Sequence, residues 1–385
     1  MTVMKFGGAV LREPQGFRHM VQILQDLRPE RVVVVISAFA TATRDLEFSA
    51  RLAQKGLAQE ADERLRQVVA DHRVLVKALL PQATSREGME ALLSEAEADL
   101  RSIIGGVAIT KQLTAKTLDR VLAYGEFLAL HIARHVLQDA GIDVVSVDAR
   151  SLIVTSNNFG CAVPLTEKTA VRVEHNLLPA LGAHSVVLVQ GFVGQSEDGF
   201  VTTMGKESSN LTATLLGAVL GASEAIIYTD VEGVRSADPH SCEHTLLRPH
   251  MSYAEARVAA EHGLKLLYPT MIAPAEQSGL AIRIAAAHAP AGESTLINGN
   301  PQAPCQPIVI EHATGSVTDV TTVFINGAEW ISHLALVLEE EQLRDAINVR
   351  SNHADRTATV SVPSADANRV ARALHHHIQQ SGKDV

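Results

Sequence analysis

Aromatic side chains are scarce in this chain of 385 residues: Phe, Trp and Tyr make up 4% of it, and Trp330 is the single tryptophan. Leu, Val, Ile and Ala must therefore do most of the core packing, within an apolar share of 46% that is ordinary for a globular protein. Cysteine is nearly absent. Cys161, Cys242 and Cys305 are odd in number and lack metal-type spacing, which argues against a disulfide framework or a zinc site and for reduced thiols in the cytoplasm. Positive charge is also short: 33 Lys and Arg stand against 43 Asp and Glu, a formal net charge of −10. With no basic run to meet a phosphate backbone, nucleic acid is excluded as the main partner. No apolar run reaches the ~20 residues of a membrane span, and the opening MTVMKFGG lacks the basic and apolar regions of a secretory signal. A soluble, cytoplasmic protein with a small-molecule partner is expected.

What is present is an alternation. Short β-branched runs recur at Val3 to Phe6, Val32 to Ile36, Val144 to Val147, Val186 to Val189, Ala225 to Tyr228 and Ile282 to Ala286, and their continuity marks strands buried on both faces. Between them lie segments of helical period, Phe17 to Leu27, Leu118 to Ala140, Leu211 to Leu220 and Tyr253 to His262, which predicts parallel β with crossover helices in a three-layer α/β/α domain. From Glu47 to Lys116 the strand signal disappears, and a helical insertion broken around Pro81 is expected. A Pro- and Asn-rich stretch, Asn298 to Pro301 with Pro304 and Pro307, reads as a linker. Residues 1–300 are thus one domain and 305–385 a small second one. The tail predicts a strand at Pro307 to Glu311 or at Val320 to Ile325, a helix at Ile331 to Ala346, strands at Ile347 to Arg350 and Thr357 to Val362, and a helix at Asn368 to Gln379, an order compatible with one ferredoxin-like α+β module. His375, His376 and His377 point in different helical directions and are expected at a solvated helix end rather than on a metal.

Three segments carry chemistry. YTDVEGVRSADP, Tyr228 to Pro239, follows a buried apolar run and brings Asp230, Glu232 and Asp238 to the end of a strand, where open α/β sheets keep their ligands. The opening VMKFGG sets Lys5 on a first strand before Gly7 and Gly8, whose missing side chains let backbone N–H groups approach a phosphate. TTMGKESSN places Lys206 beside Ser208, Ser209 and Asn210, read as caps at the start of an amphipathic helix, an anion site in the making.

Together these segments resemble the aspartate kinases of the amino-acid kinase family. The family's KFGGTSV corresponds to Lys5–Val10, its SAxxxxT to Ser37–Thr43, its helix-borne GE to Gly125 and Glu126, and its QGF to Gln190–Phe192. TTLGRGGSD corresponds to TTMGKESSN, TDVDGV…DP to TDVEGV…DP, and GAKVLHP to Gly263–Pro269. The resemblance implies an amino-acid kinase fold with a C-terminal ACT-type regulatory domain, ATP and Mg²⁺ as cofactors, and transfer of the γ-phosphoryl group to the side-chain carboxylate of L-aspartate, the first step toward lysine, threonine and methionine. It implies catalytic roles for Lys5, Lys206 and Lys265, substrate binding by Thr43, Glu126, Lys206, Ser209 and Asn210, and nucleotide binding by Lys5, Gly7, Gly8, Thr229, Asp230, Arg235, Asp238 and Lys265, with no dedicated metal site. A homodimer built through the tail is expected.

Departures cluster around the ligands. The family's Arg-Gly-Gly-Ser-Asp is Lys206, Glu207, Ser208, Ser209 and Asn210 here, and Lys offers a point charge where Arg clamps a carboxylate bidentately. Ala9, Thr41, Arg235 and Tyr268 also differ from the family, and the tail has room for about one ACT module where two are usual. Two alternatives follow: the same fold acting on a different carboxylate acceptor, or a non-catalytic amino-acid or nucleotide sensor.

Overall fold

The structure is a computed structural model, and it describes residues 1–28, 30–39, 41–300, 305–325, 327–340, 348–352 and 354–381. Residues group into two compact units, 1–231 with 286–290, and 232–285 with 291–385.

In the first unit, β1 (Thr2–Phe6), α1 (Pro14–Leu27) and β2 (Val32–Ile36) are followed by α2 (Ala42–Gln54), α3 (Ala58–Leu79) and α4 (Ala83–Thr110), the predicted helical insertion with its break around Pro81. The chain continues through α5 (Ala115–Asp139), β3 (Val144–Ser146), β4 (Val154–Thr155), α6 (Thr166–Arg172), α7 (Leu178–Ala183), β5 (Val186–Gln190), β6 (Val193–Ser196), β7 (Val201–Thr203), α8 (Ser208–Val219) and β8 (Glu224–Thr229). Strands β3, β5, β2, β1 and β8 lie side by side in that order, and every pairing is parallel. Each residue of β2 and β5 is buried, as the unbroken β-branched runs require of a sheet covered on both faces. Parallel alignment has a functional consequence: all five strands end on one edge, and the residues after β1, β2, β5 and β8 emerge there together.

The second unit contains β9 (His250–Ser252), α9 (Tyr253–Glu261), α10 (Pro269–Ser278), β10 (Ala281–Ala286) and β11 (Ser294–Asn298). A capping box, with Ser252 and Glu255 bonding each other's backbone, starts α9. Beyond them, β12 (Ile308–Thr314), β13 (Val317–Val323), α11 (Gly327–Glu340), β14 (Asn348–Asn352), β15 (Thr357–Pro363) and α12 (Ala367–Ser381) form an antiparallel sheet in the order β12-β13-β15-β14. The two alternative first strands of the tail both exist and form a hairpin around Gly315, at φ 70°; the expectation of one or the other is corrected. The resulting ββαββα order is a ferredoxin-like sheet whose outer strand comes from the N-terminal side instead of closing the module. Trp330 is fully buried at its centre among Val320, Val337, Val360 and Val370, and its Nε1–H donates to Thr322 Oγ1 at 2.9 Å. Residues 301–304, part of the expected linker, and 341–347, where the helix was expected to end and the next strand to begin, lie outside the described residues.

His375 corrects another expectation. It is 5% exposed, and its Nε2 shares a hydrogen bond of 2.8 Å with Ser236 Oγ, because α12 turns that side chain toward the segment between β8 and β9 rather than toward solvent.

Candidate active site

Lys5 sits on the central strand of the first unit, in register with Val35 of β2 and Ile227 of β8, and is only 5% exposed. Its neighbour Phe6 stacks on Tyr228 with ring centroids 4.9 Å apart, and the Gly7 N–H donates to the Tyr228 carbonyl at 3.2 Å. The end of β1 is thus clamped to the end of β8, where Thr229 and the exposed Asp230 follow. Gly7 leaves room for the lysine: a Cβ there would stand 3.0 Å from Lys5 Nζ, so a side chain at residue 7 would press on the end of Lys5. Burial pulls the Lys5 pKa down to about 8, against the opposing charges of Glu207 and Glu126.

Glu126 comes from α5, which the loop after β2 approaches closely at Gly125. A Cβ at that glycine would meet Ala38 Cβ at 3.1 Å and Thr43 Oγ1 at 3.2 Å. The contact lets Glu126 Oε1 accept from the Ala38 N–H at 3.2 Å, while its buried Oε2 has no partner among the described residues. Burial pushes this carboxyl up to about 8, against the Ala38 hydrogen bond and the Lys5 charge. A buried acceptor without a donor is costly unless a ligand supplies one.

The QGF segment closes the third side. Gln190 takes the Ala149 N–H on Oε1 and donates to Asp148 Oδ1 at 2.8 Å. Gly191 admits the first turn of α8, since a Cβ there would lie 2.4 Å from Ser209 Oγ. Phe192, at φ 67°, donates its N–H to Thr212 Oγ1. Ser208, Ser209 and Asn210 are all buried, and Asn210 Oδ1, like Glu126 Oε2, has no partner among the described residues. The expected Ser and Asn caps are corrected: the N-cap is Glu207, at φ 60° with no side-chain cap, and Ser208 Oγ instead donates to the Gly205 carbonyl at 2.7 Å. Lys206 and Glu207 are exposed at this helix start, where the positive end of the helix dipole favours an anion.

In the second unit, Asp238 accepts from Lys265 Nζ at 2.8 Å and from the His240 N–H at 3.0 Å. Burial acts to raise the Asp238 pKa, but these donors outweigh it and hold the carboxyl at about 2. Arg235 is engaged locally, donating to Thr245 Oγ1 and the Thr245 carbonyl. Of the residues expected at the site, Lys5, Gly7, Gly8, Thr43, Glu126, Lys206, Ser209, Asn210, Thr229 and Asp230 belong to the first unit, and Arg235, Asp238 and Lys265 to the second. Sequence reasoning missed Asp119, a buried carboxylate on α5. Its spacing from Glu126, two helical turns, was the available signal.

The edge of this parallel sheet gathers a buried lysine, a glycine turn and a helix start in an α/β protein, and the chain belongs to the amino acid kinase family, whose model matches residues 1–286. Among curated relatives it is similar to Aspartokinase 3, chloroplastic, of Arabidopsis thaliana, 28% identical over 77% of this chain and 52% of that protein. It is also similar to the Lysine-sensitive aspartokinase 3 of Escherichia coli K12, 28% identical over 77% of this chain and 64% of that one. The chain therefore spans between about half and two-thirds of these relatives' lengths. Its fold matches E. coli aspartokinase III solved with lysine and aspartate, with a TM-score of 0.76 at 21% identity over 98% of this chain and 99% of that one. The same enzyme solved with aspartate and ADP matches with a TM-score of 0.72 at 22% identity over 96% of this chain and 80% of that one.

Proposed function

We propose that this chain is an ATP-dependent kinase that phosphorylates the side-chain carboxylate of L-aspartate, giving 4-phospho-L-aspartate. The observation that carries the proposal is a buried ammonium, Lys5 on β1, and a buried carboxyl, Glu126 of α5, held by Ala38 just after β2, whose second oxygen has no partner among the described residues. An acceptor carboxylate is already ionised at neutral pH and needs no general base. One of its oxygens attacks the γ-phosphorus as the bond to the β–γ bridging oxygen breaks and ADP leaves, so catalysis is alignment plus cancellation of charge. Lys5 supplies that cancellation, and Gly7 and Gly8 let the phosphates approach.

Glu126 Oε2 and Asn210 Oδ1 receive the acceptor's ammonium, Lys206 its α-carboxylate, and Thr43 and Ser209 line the pocket. Because burial holds the Glu126 proton, docking an ammonium beside it releases that proton. Thr229, Asp230, Arg235, Asp238 and Lys265 serve the nucleotide. Magnesium keeps several water and phosphate ligands and needs only one or two carboxylates, and Asp230, exposed directly after β8, is the residue that would supply one. When bound with the nucleotide, that ion would offset negative charge on the phosphates. Residues 1–300 are read as the catalytic domain and 305–385 as an ACT-like regulatory and dimerisation domain in a cytoplasmic homodimer; a dimer mass by light scattering checks the last point.

With ATP, Mg²⁺, L-aspartate and hydroxylamine, the purified chain should form the hydroxamate in step with ADP; no product beside an active control defeats the proposal. The exposed Lys206 and Glu207, with the neutral Asn210, favour a second reading in which another amino dicarboxylate is the better acceptor. A panel of acceptors decides it.

A further inference from the structure

Asp119 is 1% exposed and accepts three hydrogen bonds: Oδ2 from the Gly160 N–H and the Thr203 N–H, each at 2.9 Å, and Oδ1 from Thr203 Oγ1 at 2.6 Å. Thr203 is held from its other side as well, its carbonyl accepting from the Ala162 N–H at 2.9 Å. One carboxylate thus joins three pieces of chain: α5, the turn at Gly160 to Ala162, and the end of β7. Thr203 leads directly into Gly205, Lys206 and Glu207. The turn also abuts that loop, since a Cβ on Gly205 would stand 3.7 Å from both Cys161 Sγ and the Gly160 carbonyl. Asp119 and Glu126 share one rigid helix, so the group assigned to the acceptor's ammonium and the anchor of the loop assigned to its carboxylate move together.

We propose that Asp119 is a positioning residue that sets the 204–210 loop against Glu126, fixing the distance between the two ends of the amino-acid acceptor. This rests on the kinase reading above. The three contacts need geometry and not charge: in Asp119→Asn the amide oxygen still accepts both N–H groups, and its NH₂ donates to a reoriented Thr203 hydroxyl. Asp119→Ala loses all three.

Cys161 supplies a readout independent of turnover, because it is exposed while Cys242 and Cys305 are buried, so a disulfide reagent such as DTNB reports on the turn. Asp119→Ala should lose about 10- to 100-fold in kcat/KM for the acceptor, leave KM for ATP within about twofold, and speed Cys161 labelling severalfold. Asp119→Asn should restore all three to about wild-type values. A folded Asp119→Ala protein with normal acceptor kinetics and normal thiol reactivity overturns the proposal, as does equal loss for ATP and acceptor, or an Asn variant as impaired as the Ala one. If Asp119→Ala does not fold, Thr203→Val removes one contact and should shift acceptor KM and labelling in the same direction; no shift in either overturns it. Should the wild type phosphorylate no acceptor, the kinase reading fails by itself, and unchanged Cys161 labelling in the Asp119 variant is then the result that sinks the clamp.

Discussion

Replacing Lys5 by methionine should make the empty protein more stable and nearly inactive. The lysine is 5% exposed, and burial lowers its pKa from 10.5 to about 8, so keeping it protonated costs roughly 3 kcal/mol relative to an unburied ammonium. The sign follows from proton counting. Below pH 8 both folded and unfolded chains carry the proton and the cost is present in full; between about 8 and 10.5 only the unfolded chain binds it, so stability rises with pH; above 10.5 the cost is gone. Methionine has similar length and no charge, and its net gain after repacking should be about 1 to 3 kcal/mol at pH 7, with the alkaline rise abolished. Catalysis moves the other way. Loss of a fixed positive charge at the transferring phosphoryl should cost about 10²- to 10³-fold in kcat. Urea denaturation at several pH values measures the first effect, and coupled ADP release the second. A Lys5→Met protein that is both less stable at pH 7 and within about threefold of wild-type turnover would refute the reasoning.

Glu126→Gln should raise acceptor KM by about tenfold or more with little effect on ATP KM, and it should flatten the acid-side stability profile. In the wild type, the folded carboxyl keeps its proton up to about pH 8, so stability falls with rising pH from about 4.5 to 8; titrated melts of the two proteins check this. Gly191→Ala drives a Cβ into Ser209 at 2.4 Å and should destabilise the first unit by about 1 to 3 kcal/mol in chemical denaturation, since the neighbour is the start of a packed helix. Lys265→Ala removes an ion pair whose lysine is 76% exposed, so stability should change by less than about 1 kcal/mol; a rise in ATP KM would support its nucleotide role. Trp330, buried in the C-terminal module, should emit at short wavelength and report that module's unfolding alone, separable from helix loss followed by circular dichroism.

The strands of the first unit were legible because each is a short β-branched run with no polar interruption, and a fully buried strand has no other composition open to it. The helical insertion was legible from its period, and Lys5, Glu126 and the QGF and Asp230 segments from their collinear motifs. Less was readable where one local pattern fits two structures. Pro307 to Glu311 and Val320 to Ile325 are both good strands, and only pairing decides that they form a hairpin. His375 lies among three histidines that differ in burial solely by which way α12 rolls.

Sequence alone therefore determined the alternation of elements, the family and the residue types of the candidate site, because hydrophobic period and turn chemistry are local properties. Tertiary structure alone decided that Lys5 and Glu126 are buried, that Glu207 and not a serine caps α8, that Glu126 Oε2 and Asn210 Oδ1 are buried without a hydrogen-bond partner among the described residues, and that Asp119 ties three segments together. Those are consequences of distance between residues far apart in the chain, and no window of sequence contains them.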